Sequence, residues 1–215
     1  MPHSTDNLET IAQRIRESLS IKHQAREQAY PLSRLVIRDA ANTIRAVHRG
    51  QLKTARDLLA GAGATLKKID AAVADHPDLR YTGYVDDAQK EYSEASIVLA
   101  LVAQLPLPDP EDLGVAYPAY LNGMAEAASE MRRHLLDALR RNEVAHCEDV
   151  LNAMDDIYNV LVTIDFPDAL TGGLRRTTDQ LRAVLERTRG DLTVAIVQDR
   201  LGEKISRAEG RLSKD

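Results

Sequence analysis

The sequence predicts an all-α protein, an antiparallel bundle or layered array of six to seven long helices. Three observations carry that expectation. Hydrophobic residues make up 44% of the 215-residue chain, yet aromatics are only 4%, with no Trp and one Phe; Ala, Leu, Arg and Glu dominate and β-branched alternation is scarce, which is a helical composition. Apolar residues recur at helical spacing over long stretches. The breakers gather in four places, Tyr30-Pro31, Asp75 to Gly83, Pro106 to Pro110 with Gly114, and Phe166 to Gly173, so the connections are short and successive helices should run antiparallel.

Taken in order, the first helix covers roughly Asn7–Ala29 and stops at Tyr30-Pro31, where proline removes a backbone donor. The second, Pro31–Ala60, is amphipathic, with Val36, Ile37, Ala40, Ile44 and Val47 on one side. A third spans Ala64–Ala74. The fourth, Tyr84–Leu105, is apolar all round downstream of Glu94, through Ala95 and Ile97 to Val102, the mark of a central, buried helix. The fifth, Pro118–Asn142, opens with proline in its first turn and carries a seam of Leu121, Met124, Ala128, Met131, Leu135 and Leu139. Val144–Ile164 is the sixth, followed by a C-terminal pair over Leu174–Arg189 and Asp191–Arg207. No internal repeat and no linker interrupts the chain, so residues 1–215 are expected to form a single domain.

The bulk properties exclude several classes. A net charge of −5 argues against a generally basic nucleic-acid coat, so a polyanion would need a local patch. The longest apolar run, Ile97 to Ala103, is far short of the roughly 20 residues that cross a bilayer, and no membrane partner is expected. One cysteine, Cys147, and a start without a basic and apolar leader point to the reducing cytoplasm.

Such a patch exists on the second helix. At about 100° per residue, Arg34, Arg38, Arg45 and Arg49 fall on one stripe opposite the apolar seam. An ordinary solvated face is one reading. Against it, the stripe holds four arginines and no lysine, and the guanidinium fork suits phosphate contacts.

A second constellation is acidic. In KEYSEA, Glu91 and Glu94 stand three residues apart on one helix face and repel unless a cation lies between them. Burial raises the cost of such carboxylates unless they are paired, protonated or metal-bound. The fifth helix repeats the theme with Glu126 and Glu130, beside Arg133 and His134 on the side away from its seam. That face is either an ordinary wet surface or the lining of an enclosed chamber. Carboxylate oxygens from two neighbouring helices are the ligands that Mg²⁺ or Mn²⁺ prefers, and such an ion would lower the pKa of a bound water and polarise a phosphodiester. Other metal codes fail. The nearest ferritin-like match, Glu130 to His134, is one residue too long, and HCED at His146–Asp149 is too sparse for zinc, with Cys147 reading as a small buried hydrophobe. Walker A, dinucleotide and G-x-S-x-G motifs are lacking.

Four stretches resemble the translin/Trax family: LSRLVIRDAANTIRAVHR, with L-S-R opening a helix that ends in His48-Arg49; KEYSEAS, similar to the Trax stretch E-Y-x-E-A; YLNGMAEAASEMRR, similar to Y-L-x-G-x-x-D/E-x-x-x-E-[LM]-x-R; and, more weakly, GDLTVAIVQDRLGEKI. The likeness runs in order from about Ile15 to Ile205. It implies a translin-like helical subunit of a hollow octamer that holds single-stranded RNA or DNA inside its shell. On the catalytic Trax branch it implies a metal-dependent endoribonuclease whose acidic residues match Glu91, Glu94, Glu126 and Glu130. Where that family usually has Asp, this chain has Glu126. The arginine stripe, His48, Arg133 and His134 are then expected to meet the nucleic-acid backbone. Two other readings stand beside it: a non-catalytic nucleic-acid-binding shell, and an all-α nucleotide pyrophosphohydrolase of the MazG kind, whose second acidic pair is usually spaced E-x-x-D.

Overall fold

In the computed structural model, which describes residues 4–212, six long helices and three single turns make up the protein, with no strand among the described residues. The long helices are α1 (Leu8–His48), α2 (Leu52–Val73), α4 (Gly83–Val102), α6 (Tyr117–Arg140), α7 (Val144–Leu161) and α9 (Leu174–Leu212). The short turns are α3 (Pro77–Arg80), α5 (Pro110–Leu113) and α8 (Asp168–Thr171). The all-α expectation therefore holds. No helix is long and apolar enough to cross a membrane.

Four boundaries differ from those expected. Tyr30-Pro31 does not end a helix, for α1 runs through it. The bond that Pro31 cannot make would have gone to the carbonyl of Glu27, an exposed residue where water can serve. Meanwhile buried Ala25, Ala29, Ser33, Val36, Ala40, Thr43, Ala46 and Val47 form one continuous seam that holds both halves in a single rod. The first break comes instead at Arg49–Gln51, where Gly50 adopts φ +70, a left-handed conformation that glycine takes without a Cβ penalty. In AGAGA the chain stays helical: Ala62 is fully buried, and a Cβ on Gly63 would fall 2.6 Å from the Tyr92 hydroxyl, so that glycine marks close approach. Finally, Gly190 does not split the C-terminal helix. An interior glycine costs about 1 kcal/mol, less than the burial of Leu185 and Leu192 on either side, and Arg189 anchors the same turn with two 2.7 Å bonds to Asp155 of α7.

Packing divides the helices into two groups joined by one seam. Helices α1, α2 and α4 share a core that includes Val36, Leu66, Ile69, Ile97 and Val98. Helices α6, α7 and α9 share another, built from Met131, Leu135, Met154, Leu185 and Leu192, with Leu161, Leu174 and Leu181 beside it. The seam is α4 against α6. Leu101 of α4 touches all three clusters, which is why the segment from Ile97 to Val102 is apolar on every side.

Candidate metal centre

At the α4–α6 seam the helices come unusually close. A Cβ added to Gly123 would lie 2.6 Å from the Lys90 carbonyl oxygen, 2.8 Å from the Ser93 Cβ and 3.0 Å from the Glu94 nitrogen; only a residue without a side chain fits there. Buried Asn122 next to it fixes α6 from the other side, donating at 2.8 Å to the Thr171 carbonyl and accepting from Thr177 at 2.6 Å. Glu126 follows one turn after Asn122 and is thereby brought against the Glu91–Glu94 face of α4.

One carboxylate oxygen from each of Glu91, Glu94 and Glu126 lies within 4.8 Å of the others, and among the described residues no other such group occurs. Oxygens sharing one Mg²⁺ at about 2.1 Å are at most ~4.2 Å apart, so small side-chain rotations would suffice. The donor set is all carboxylate and comes from two helices, which fits a hard divalent cation. A cation already sits among them: the Lys90 ammonium donates to both oxygens of Glu126 at 2.8 and 2.9 Å and stands 3.4 Å from Glu91. The repulsion expected for KEYSEA is thus offset by the lysine of the same hexapeptide.

Burial, together with the charges of Glu91, Glu126 and Glu130, pushes the Glu94 carboxyl up to about 8 despite nearby Lys90. Burial works against the Lys90 ammonium, but its contacts with Glu126 and Glu91 outweigh that and raise its pKa. At neutral pH the cluster therefore carries a protonated Glu94 and a charged Lys90.

A pH dependence follows. Between the unfolded value near 4.5 and the folded value about 8, the folded chain holds one proton more than the unfolded chain at Glu94. Stability should therefore fall as pH rises through that window, by at most about 1.4 kcal/mol per unit from this group. Thermal melts in chelator between pH 5 and 8 should show a steeper decline for the native chain than for Glu94→Gln; parallel curves would contradict the assignment. Lys90→Met should lower the Tm in chelator and increase the stabilisation that added Mn²⁺ gives, because the competing cation is gone. An unchanged Mn²⁺ response would mean that Lys90 does not occupy the ion's place.

The remaining predicted residues separate into three groups. Glu130, on the same face of α6 as Glu126, is held by His48 at 2.6 Å. His48 does not lie with the arginines: its side chain is 2% exposed and turned inward to that carboxylate, which places its imidazole away from any ligand on the outer face. Arg34, Arg38, Arg45 and Arg49 are all exposed, Arg45 donating to Asn42 at 2.7 Å and Arg38 lying beside Asp39. Arg133 is exposed, whereas His134 is half-buried against His146. Burial and the neighbouring charges of His146, His48 and Arg141 lower the His134 pKa, with Asp137 opposing. Sequence reasoning missed Lys90, although it adjoins Glu91, and Gly123, whose only signal is a helix breaker amid strong helix formers.

No protein-family model matches the chain. Over 199 residues it is 30% identical to the uncharacterized protein MJ0175 of Methanocaldococcus jannaschii, covering 92% of this chain and 88% of that one. Among solved structures it is similar to AfC3PO, in a complex with duplex RNA and in a second crystal structure. In both cases the identity is 30% and the TM-score 0.78, over 89% of this chain and 97% or 98% of the other. C3PO assemblies are built from translin/Trax chains. This chain belongs to the translin/Trax family. Apo-NeC3PO, at 19% identity and TM-score 0.69 over 91% of this chain, shares the fold. The translin/Trax membership agrees with the resemblance carried by KEYSEAS and YLNGMAEAASEMRR, and those two stretches supply the facing walls of the carboxylate cluster.

Proposed function

We propose that the chain is a metal-dependent endoribonuclease that binds and cleaves RNA inside a hollow homo-oligomer. The single observation that carries this reading is the convergence of Glu91, Glu94 and Glu126 within 4.8 Å across two helices, in a family whose AfC3PO member was solved with duplex RNA. These three residues would hold Mg²⁺ or Mn²⁺, which supplies Lewis-acid polarisation of the scissile phosphodiester and lowers the pKa of the attacking water. Glu94 would have to give up its proton to serve as a ligand. Lys90, now paired with Glu126, would be released by the ion and could then offer its positive charge to a phosphate oxygen. Glu130 is oriented by the buried His48 and accepts its hydrogen bond, one turn from Glu126. The exposed arginines of α1 and Arg133 would hold the backbone of single-stranded RNA or DNA without reading sequence; with few aromatics, base stacking contributes little.

Self-association is supported by both ends of the long helices. Buried positions of α1 begin only at Ala25, and Leu8, Ile15, Leu19 and Ile21 before it are exposed. The seam of α9 ends at Leu192, and Val194, Val197, Leu201 and Ile205 beyond it are exposed. Apolar stripes of this length on projecting helices suit the contacts of an octameric shell.

The deciding experiment incubates purified protein with labelled single-stranded and duplex RNA in Mg²⁺, Mn²⁺ or chelator, with native mass taken on the same sample. Internal cleavage that stops in chelator is expected. Salt-sensitive binding without turnover would establish the non-catalytic shell instead, and release of a nucleoside monophosphate from triphosphates with RNA untouched would establish the MazG-like activity.

A further inference from the structure

The metal centre borders a cavity of about 800 Å³ that lies among the N-terminal turns of α4, α6 and α9 and is lined in part by Lys90 and Glu126. That volume is within the range of ligand-binding clefts and is roomy enough for a nucleotide. The rest of the lining takes no part in the carboxylate cluster.

Its walls carry opposite charge. Asp86 and Asp87 stand on the α4 side, just upstream of KEYSEA. On the α9 side stand Arg176 and Gln180, four residues apart and therefore on one face of the helix. Gly173, just before α9, lines the same cavity, and a Cβ there would meet nothing within 4 Å, so the space beside that face is open. Arg176 is exposed and has neither a hydrogen-bond nor an ion-pair partner among the described residues. By contrast, Arg182, Arg189 and Arg207 of the same helix are each paired with a carboxylate. The two aspartates repel a phosphate and the unpaired guanidinium attracts one, so an anionic strand entering from the metal centre is driven to the α9 wall.

We infer that this cavity is the path of the RNA strand beside the metal centre, and that Arg176 holds a backbone phosphate next to the one that the ion engages. The contact fixes the strand without reading its bases. The inference rests on the proposed function for the identity of the strand. It adds a phosphate contact on α9 to those assigned to α1 and Arg133.

The test titrates a fluorescent single-stranded RNA into full-length protein in chelator at several salt concentrations, and follows cleavage in Mn²⁺ on the same preparations. The chains compared are the native one, Arg176→Ala, Arg176→Lys and Arg175→Ala. Arg175 is the matched control, for it is also exposed but lines a separate cavity. Arg176→Ala should weaken binding about tenfold. It should also flatten the dependence of log affinity on log salt by about 0.7, the share of one single-strand phosphate contact. Its cleavage should slow at subsaturating RNA, while its Tm and the Tm gain given by Mn²⁺ stay native, which a merely structural role would not allow. Arg176→Lys should keep the native salt slope because it keeps the charge, and Arg175→Ala should match the native chain throughout. A native slope in Arg176→Ala, or an equal loss in Arg175→Ala, would overturn the assignment. A native chain that binds RNA without cutting it removes the nuclease reading, and the slopes still decide the role of Arg176; a native chain that binds no RNA overturns both.

Discussion

Gly123→Ala should abolish metal-dependent RNA cleavage and the Tm gain given by Mn²⁺, while leaving the chain folded. The reason lies in what the added methyl group would meet: a backbone carbonyl oxygen at 2.6 Å, a helical Cβ at 2.8 Å and a backbone nitrogen at 3.0 Å, all belonging to α4. None of these is the end of a movable side chain, so the helices must part. Overpacking of this kind costs about 1–3 kcal/mol, but alanine recovers about 1 kcal/mol of helix propensity over glycine. Net destabilisation is therefore small. The site is less tolerant, because a displacement near 1 Å carries the Glu126 oxygens out of reach of an ion shared with Glu91 and Glu94, and such misplacement alone can cost ~10²-fold in rate. Circular dichroism, melts with and without Mn²⁺, and a cleavage assay on the same preparation check the prediction. If the alanine chain still gains stability from Mn²⁺ and cleaves RNA at a native rate, close approach at Gly123 does not set the geometry of the centre.

Glu91→Gln should lower the cleavage rate by at least about 10³-fold, with RNA affinity and its salt dependence unchanged. The substitution keeps shape and removes one of three charges that converge within 4.8 Å; an amide oxygen is a far weaker ligand for a hard cation than a carboxylate. Affinity should persist because the proposed function assigns the phosphate contacts to exposed arginines on α1 and at Arg133 rather than to the cluster. In chelator, the variant should melt no lower than the native chain, since it relieves the repulsion that keeps Glu94 protonated. Undiminished cleavage by the glutamine chain would remove the carboxylates from the chemistry.

The fold was largely legible because its signals are local. Of the seams expected from helical spacing, Val36, Ala40 and Val47 on α1 and Ala128, Met131 and Leu135 on α6 are buried, while Ile37, Ile44, Leu121, Met124 and Leu139 are half-buried at their edges. Where reading failed, at Pro31, AGAGA and Gly190, the local preference against helix was real, and packing against neighbours outweighed it. The candidate site was legible in its acidic members and illegible in its supports. Glu91 and Glu94 announced themselves as charges entering an apolar helix and Glu126 as half of a second acidic pair, but their counter-ion Lys90 looked like one more surface lysine, and His48 looked like part of a basic stripe. The inward turn of His48 to Glu130 depends on how α1 meets α6, and no spacing within either helix encodes it.

By itself, the sequence determined the helical class, the centre of the buried seams, the family likeness and the three carboxylates that meet. Only the tertiary structure decided that α4 and α6 touch at Gly123, that Lys90 sits between Glu91 and Glu126 and that His134 faces His146. The physical reason is range. Helix formation and amphipathicity are set by residues three and four positions apart, whereas a metal centre is set by distances of a few ångströms between residues some thirty positions apart, which exist only once the helices have packed.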